Sequence, residues 1–229
     1  PGIISHKGYV ANGTVFTTED STANVDSIYR QGTSRNHTAT HILHSSLREI
    51  LGTHVRQAGS SVGNDRLRFD FTHIGSMSLE EIKAVENLAN TQVRNNHSIS
   101  TNITTYRDAV ANGALAFFGD RYGSEVRMVT IATGEPFSIE VCGGTHLDNT
   151  GQIGYIKIIN ETNIGSGMRR IEAISGETAS EYSINDQFTL TRIAQILETN
   201  ITTIESRLDS ILQENKNLKS SLNSYQQTQ

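Results

Sequence analysis

Asn36-His37-Thr38-Ala39-Thr40-His41 opens a run whose apolar residues, Ile42, Leu43, Leu47, Ile50 and Leu51, recur at helical spacing and stop at Gly52. That spacing with a closing glycine predicts an amphipathic helix over Arg35 to Leu51, capped by Ser34 or Asn36. His37 and His41 are then i and i+4, one above the other on a single face. Far along the chain lies Cys142-Gly143-Gly144-Thr145-His146, after the strand-like run Ser138-Ile139-Glu140-Val141. The paired glycines bar a regular helix and let the backbone curl, so that Cys142 and His146 can aim at one point. Two rigid supports thus offer His37, His41, His146 and Cys142, the donor set of a tetrahedral zinc site.

Each half alone has an ordinary explanation. A His-x-x-x-His pair on a helix is common among exposed or hydrogen-bonded core histidines. A lone cysteine is often just a small buried hydrophobe. The combination favours metal, because the chain's one cysteine has a histidine four residues on and two glycines between. His44 shares the helix face and is expected to pack or hydrogen-bond nearby rather than ligate.

Further motifs accompany these two. They are Arg66-Leu67-Arg68-Phe69-Asp70-Phe71, Gly113-Ala114-Leu115-Ala116-Phe117-Phe118-Gly119 and Arg169-Arg170-Ile171-Glu172. Taken in order from Arg35 to Gly176, the set resembles the editing domain of alanyl-tRNA synthetase. Free-standing alanyl-tRNA editing proteins and the editing domain of threonyl-tRNA synthetase are more distant likenesses. The resemblance implies an editing hydrolase that deacylates mischarged tRNA(Ala), chiefly the serine ester and also the glycine ester. It implies zinc as cofactor and tRNA(Ala) as partner. Gln57 matches a family position linked to substrate discrimination. Thr40, beside a proposed ligand, is a polar candidate for the same task, and Gly143 and Gly144 can offer backbone N–H groups to the ester oxygen. With Cys142 these form the expected catalytic group. Arg68, Arg169 and Arg170 are candidates for tRNA phosphates. The plainer readings are helix-surface polarity for Thr40, strand-surface polarity for Gln57, a tight turn for the glycines and solvated strand charge for the arginines.

With 229 residues the chain can bury a sizeable core. Apolar residues make up 35% and charged ones 19%, the polar balance falling to Ser, Thr and Asn, which is a globular composition. A net charge of −5 argues against a plain nucleic-acid binder and confines any tRNA contact to a local arginine patch. One cysteine excludes an internal disulfide framework and fits a reducing, cytoplasmic setting. No apolar run approaches the roughly 20 residues of a membrane span, and no signal peptide is evident. A start at Pro1 rather than Met is what a piece of a longer protein would have.

The rest of the pattern predicts an α+β domain, two-layered, with helices on an antiparallel sheet. Residues 1–32 read as a β segment, with short strands at Gly8–Gly13 and Val15–Thr18; the resemblance implies part of a small barrel, and the stretch between Glu19 and Arg35 is shorter than the family's, so either the barrel is reduced or residues are absent from this sequence. Residues 33–182 hold the zinc-dependent domain. Leu67, Phe69 and Phe71 alternate with Arg68 and Asp70 as a half-buried strand. Ser78 and Glu81 form a capping box for a helix ending at Asn95-Asn96. Strands are expected at Ile99–Thr105, Val126–Ala132, Phe137–Val141, Tyr155–Ile159 and Arg170–Ile174, with a short helix over Arg107–Ala116. Residues 183–229 are helical. Ile201, Ile204, Leu208, Ile211, Asn215, Leu218 and Leu222 follow an a/d heptad pattern, with Asn215 able to fix register. The seam either packs on its own domain or makes a coiled coil; the resembled synthetases dimerise through such a region, so a homodimer is expected.

Three functions compete at this point: the tRNA-ester hydrolase, a non-catalytic zinc-stabilised tRNA-binding module, and a zinc protease. Proteases of the His-Glu-x-x-His kind carry Glu after the first histidine, where this chain has Thr38.

Overall fold

The computed structural model describes residues 7–14, 20, 22–117 and 123–227. Helix α1 (Ser27–Leu51) starts at Asp26, whose side chain accepts the Tyr29 N–H at 3.0 Å. It therefore begins eight residues before the expected start, and neither Ser34 nor Asn36 caps it. Gly32 reads as a breaker in sequence, but here it is a contact point: a Cβ at this position would sit 2.7 Å from the Asn64 carbonyl oxygen. Ser34 and Asn36 are buried and tie the helix to other segments. Asn36 donates to the Gly63 carbonyl at 3.0 Å and accepts from Ser175 Oγ at 2.6 Å. The Thr38, Thr40 and Ser46 hydroxyls turn back onto carbonyls one turn earlier, which satisfies polar groups on a buried face.

Among the described residues, seven strands form two antiparallel sheets. The larger has the order β1-β2-β7-β6, from β1 (Gln57–Val62), β2 (Leu67–Thr72), β7 (Met168–Ser175) and β6 (Ile156–Gly165). The smaller is β3 (Ser98–Thr105), β4 (Glu125–Thr133) and β5 (Glu135–Val141). β1 escapes a pattern search because Gln57–Val62 is Gly- and Ser-rich with no apolar alternation. Helices α1 and α2 (Leu79–Arg94) pack together on the larger sheet.

The core sits between those helices and β2, β6 and β7. Leu67, Phe69 and Phe71 are fully buried against Ala39, Ile42, Leu43 and Leu47 of α1, with Val85 and Ala89 of α2 and Ile171 of β7. Register explains the other face of β2: Asp70 lies opposite Arg170, so the alternation that buries the phenylalanines lines up an ion pair. The Ser78–Glu81 capping box is present, and Asn95 caps the end of α2. β3 alternates in sequence but mostly faces solvent, as an edge strand can. The short helix α3 (Tyr106–Ala111) stops before Ala116. The following Leu115 runs beside β5, its N–H donating to Ile139 O at 2.8 Å.

Gly8–Gly13, expected as a strand, has no ladder partner among the described residues. Val15–Thr18, Phe118 and Gly119 lie outside the described residues. Helices α4 (Glu177–Ile196) and α5 (Ile204–Gln227) end the chain, joined by a 3₁₀ turn at Ile201–Thr203. No helix among the described residues is long and apolar enough to cross a membrane.

Candidate metal centre

α1 and the loop after β5 meet at one point. One ligating atom from each of His37, His41, Cys142 and His146 lies within 4.8 Å of the other three. Cys142 Sγ is 3.3 Å from His37 Nε2 and 3.4 Å from His146 Nε2. The loop is held open by Arg127 of β4, whose Nη1 donates to the carbonyls of Cys142 at 3.1 Å and Gly144 at 2.6 Å. Gly144 is required at its position: an added Cβ would run into the His37 ring at Cε1 and Nδ1. Thr38 orients the far side, taking the Leu147 N–H at 3.2 Å and lying 3.4 Å from His146 Nδ1.

Behind the cluster sits Glu140, 5% exposed, two residues before Cys142 on β5 and so on the same strand face. Its Oε2 is 2.9 Å from His41 Nδ1 and its Oε1 is 3.0 Å from His44 Nδ1. Ser138 Oγ lies 3.2 Å from Oε1. His44 therefore does what its position suggested: it hydrogen-bonds and packs, with its ring against Phe69 and Phe117. Glu140 is the residue that sequence reading missed. Its signal was a lone carboxylate between Ile139 and Val141, in phase with Cys142.

The electrostatics are those of a site built around a thiolate. Burial works against ionisation of Cys142, yet hydrogen bonds from His146 and His37 hold the thiol down to about 3. Burial alone would lower His41, but the Glu140 carboxylate raises it well above the ordinary imidazole range. The same pairing, with His44, holds Glu140 below the usual carboxylate range despite its burial. Burial pushes His146 down.

These residues fit a metal ion on three counts. The donors are three imidazoles and a thiolate at tetrahedral-site spacing. His41 Nε2 is buried and has no hydrogen-bond partner among the described residues, as a nitrogen kept for a metal would be. The loop glycine leaves the space that His37 needs.

Beside the cluster opens a cleft of about 290 Å³, lined by His37, Thr40, His41, Gln57, Ser60 and the Glu140–Gly144 stretch. Thr40, Gln57, Gly143 and Gly144 thus border the same space as the donors. Thr40 donates to the Asn36 carbonyl at 2.9 Å, and Gln57 Nε2 donates to Ser60 Oγ at 3.0 Å.

The arginines expected to meet phosphates are placed differently. Arg169 is buried, its side chain 7% exposed, and pairs with Glu161 through two contacts, one of them 2.7 Å. Arg170 forks onto Asp70 at 2.7 and 2.9 Å. Arg68, the most open of the three, lies 3.8 Å from that carboxylate. The Arg-Arg pair thus closes ion pairs within the larger sheet instead of presenting free charge, a consequence of the β2–β7 and β6–β7 registers.

Comparison with known proteins agrees with the geometry. Residues 126–172, which include the Cys142–His146 loop, match the family described as the threonyl and alanyl tRNA synthetase second additional domain. The alanine--tRNA ligase of Chloroflexus aurantiacus is 43% identical over 231 residues, covering 97% of this chain and 26% of that protein. That of Fervidobacterium nodosum is 45% identical over 218 residues, 95% of this chain and 25% of that protein. That of Rhizobium johnstonii is 43% identical over 229 residues, 96% of this chain and 26% of that protein. The chain spans about a quarter of the length of the curated relatives it matches. By motif order, site geometry and identity along nearly its whole length, the chain is homologous to the stretch of alanyl-tRNA synthetases that carries the additional domain shared with threonyl-tRNA synthetases.

Proposed function

We propose that this chain is the editing hydrolase of an alanyl-tRNA synthetase, releasing serine, and also glycine, from wrongly charged tRNA(Ala). The observation that carries the reading is the cleft in which four metal donors share walls with Thr40, Gln57 and the Gly143-Gly144 loop. We assign zinc to His37, His41, Cys142 and His146, because a borderline-soft ion suits imidazole and thiolate together. Bound there, zinc would supply Lewis-acid polarisation and lower the pKa of a water to about 7.

The chain's own residues do the rest. Arg127 binds the Cys142 and Gly144 carbonyls, which fixes the loop and keeps its peptide dipoles from turning. In this reading the N–H groups of Gly143 and Gly144 face the ester oxygen, where negative charge grows during attack on the carbonyl carbon. A water oxygen bonds to that carbon and gives up a proton, the acyl C–O bond to the terminal ribose breaks, and the ribose oxygen leaves carrying that proton. In this reading Thr40 and Gln57, which border the cleft, hydrogen-bond the serine hydroxyl. A site that pairs with a hydroxyl rejects the analogue lacking it far better than an apolar pocket rejects an added one. Of the three arginines, Arg68 keeps a place as a phosphate contact, since its side chain is 40% exposed.

A second reading has one observation in its favour. Four protein donors complete a tetrahedron, which is the pattern of structural zinc. On that view the chain is a zinc-stabilised tRNA-binding module without chemistry. The lined cleft favours the hydrolase, because a purely structural ion needs no such walls. Assembly and setting follow the same reading: tRNA(Ala) as partner, a homodimer through the C-terminal helices, and a cytoplasmic location suited to an unoxidised thiolate. The test is release of serine from Ser-tRNA(Ala) by wild-type and Cys142→Ala protein at high enzyme concentration. Loss of one to several orders of magnitude in the variant supports the hydrolase. Equal release by both would sink the zinc-dependent mechanism.

A further inference from the structure

We infer that Glu140 is the positioning residue of the metal centre: by gripping His41 Nδ1 with one oxygen and His44 Nδ1 with the other, it keeps His41 Nε2 free as a donor and balances the charge of the loaded site. The inference rests on the metal reading above and deepens it.

The argument begins with proton counting. A neutral imidazole carries one N–H, and which nitrogen bears it is set by what the other faces. Glu140 Oε2 lies 2.9 Å from His41 Nδ1, and an ionised carboxylate only accepts, so the proton belongs on Nδ1. In the neutral ring, the form that binds a metal, Nε2 then presents its lone pair to the space shared with Cys142, His37 and His146. Without the carboxylate nothing else among the described contacts would hold the proton there. A His41 protonated at Nε2 would direct an N–H at the ion and be lost as a ligand.

His44 has a matching task. It sits one turn beyond His41 on α1, fully buried, and reaches Glu140 Oε1 at 3.0 Å. Phe69 and Phe117 fix its ring, so the carboxylate is anchored at both oxygens and cannot rotate away from His41. Ser138 adds a third contact at 3.2 Å. This arrangement uses a buried histidine that the ligand set leaves out.

Charge closes the argument. A divalent ion with the Cys142 thiolate and three neutral imidazoles carries one net positive charge. Glu140 is the buried carboxylate beside that set, and it brings the sum to zero in a place where unpaired charge is costly. Partners of metal-binding histidines commonly change metal affinity by about 10–100-fold when removed.

Glu140→Gln separates these effects from simple packing, because glutamine keeps the volume. Its single carbonyl oxygen can serve one histidine, and the charge is gone. Zinc affinity, read by competition with a chromophoric chelator, should fall by about 10–100-fold, while circular dichroism stays that of the wild type. Glu140→Asp, which keeps the charge, should recover part of the loss. The cobalt-substituted variant should lose intensity in its visible four-coordinate bands. A measurement on the unaltered protein guards against variants that fail to fold. In the zinc-loaded chain, ¹⁵N NMR should find His41 bound to metal through Nε2, with an Nδ1 proton shielded from exchange. Equal zinc affinity in wild type and a folded Glu140→Gln, or metal on Nδ1 of His41, would overturn this role alone. A wild-type chain that takes up neither zinc nor cobalt would overturn the metal reading with it.

Discussion

Gly144 shows how one missing side chain sets the site. Its Cα borders the His37 ring so closely that any Cβ would occupy the ring's own space. Gly144→Ala should therefore push His37 out of the donor set with little effect on the fold. Zinc stoichiometry near zero, with a thermal midpoint equal to that of the metal-free wild type, is the expected outcome. Full zinc loading in the variant would show that the ring has another place to go. Protonation acts on the same atoms. Metal binding requires neutral imidazoles and a thiolate, so protons and zinc compete, and affinity falls as pH falls. Cys142 is held as thiolate down to about 3, which leaves the imidazoles as the groups that take up the competing protons. His41, raised by Glu140 to about 10, already holds its proton at neutral pH in the metal-free site, so an entering ion has to displace it, and the remaining imidazoles add to the competition on acidification. Zinc retention measured by dialysis should decline from neutral toward mildly acidic pH. Retention that is flat down to pH near 4, below the ordinary imidazole range of about 6.5, would argue against histidine ligands.

At the scale of elements, α2 does more than cover the sheet. Asn90 makes a two-way amide clamp on edge strand β6, donating to Ile156 O at 2.8 Å and accepting Ile156 N at 2.9 Å. Glu86 takes the Ile158 N–H at 2.8 Å. A helix thus satisfies the open backbone of an edge that would otherwise invite further strands. Asn90→Ala should leave two buried backbone groups unpaired and cost roughly 2–4 kcal/mol, read as a shift of the urea midpoint with unchanged slope. A change below about 0.5 kcal/mol, the scale of an ordinary surface substitution, would mean water replaces the clamp. The same elements show which features could be read in advance. Leu67, Phe69 and Phe71 declared β2 because period two and burial coincide there. Ser78 and Glu81 announced the start of α2 because a capping box is local chemistry. The four donors were legible because their types and spacing are chemical requirements. β1 was not, since a Gly- and Ser-rich strand owes its existence to pairing with β2. The first turns of α1 were not read because Ser34 and Asn36 look like caps in sequence, whereas in space they bond Thr145, Gly63 and Ser175, all distant along the chain. The ion pairs of Arg169 and Arg170 could not be read in advance, because strand register, invisible in one sequence, gave them carboxylates to hold.

For the whole molecule, the two C-terminal helices leave apolar side chains outside. Phe188 and Ile196 of α4 are exposed, as are Leu208, Leu218 and Leu222 of α5. Among the described residues no residue of the α5 seam joins a buried core cluster, so its pairing partner is proposed to be a second copy. Leu208→Ser with Ile211→Ser should shift sedimentation toward monomer and leave the zinc domain folded. A wild-type chain that is monomeric at high concentration would refute that assembly. The central claim is that the cleft hydrolyses the wrong ester and spares the right one. The direct measurement is the ratio of deacylation rates for Ser-tRNA(Ala) and Ala-tRNA(Ala), taken with zinc-loaded protein in excess and over a range of salt, since phosphate contacts weaken as salt rises. The account expects serine to be released many-fold faster than alanine, and Gln57→Ala to shrink that ratio more than it slows serine release. Zinc-loaded protein that binds the tRNA yet releases neither amino acid would contradict the account and leave a binding module in its place.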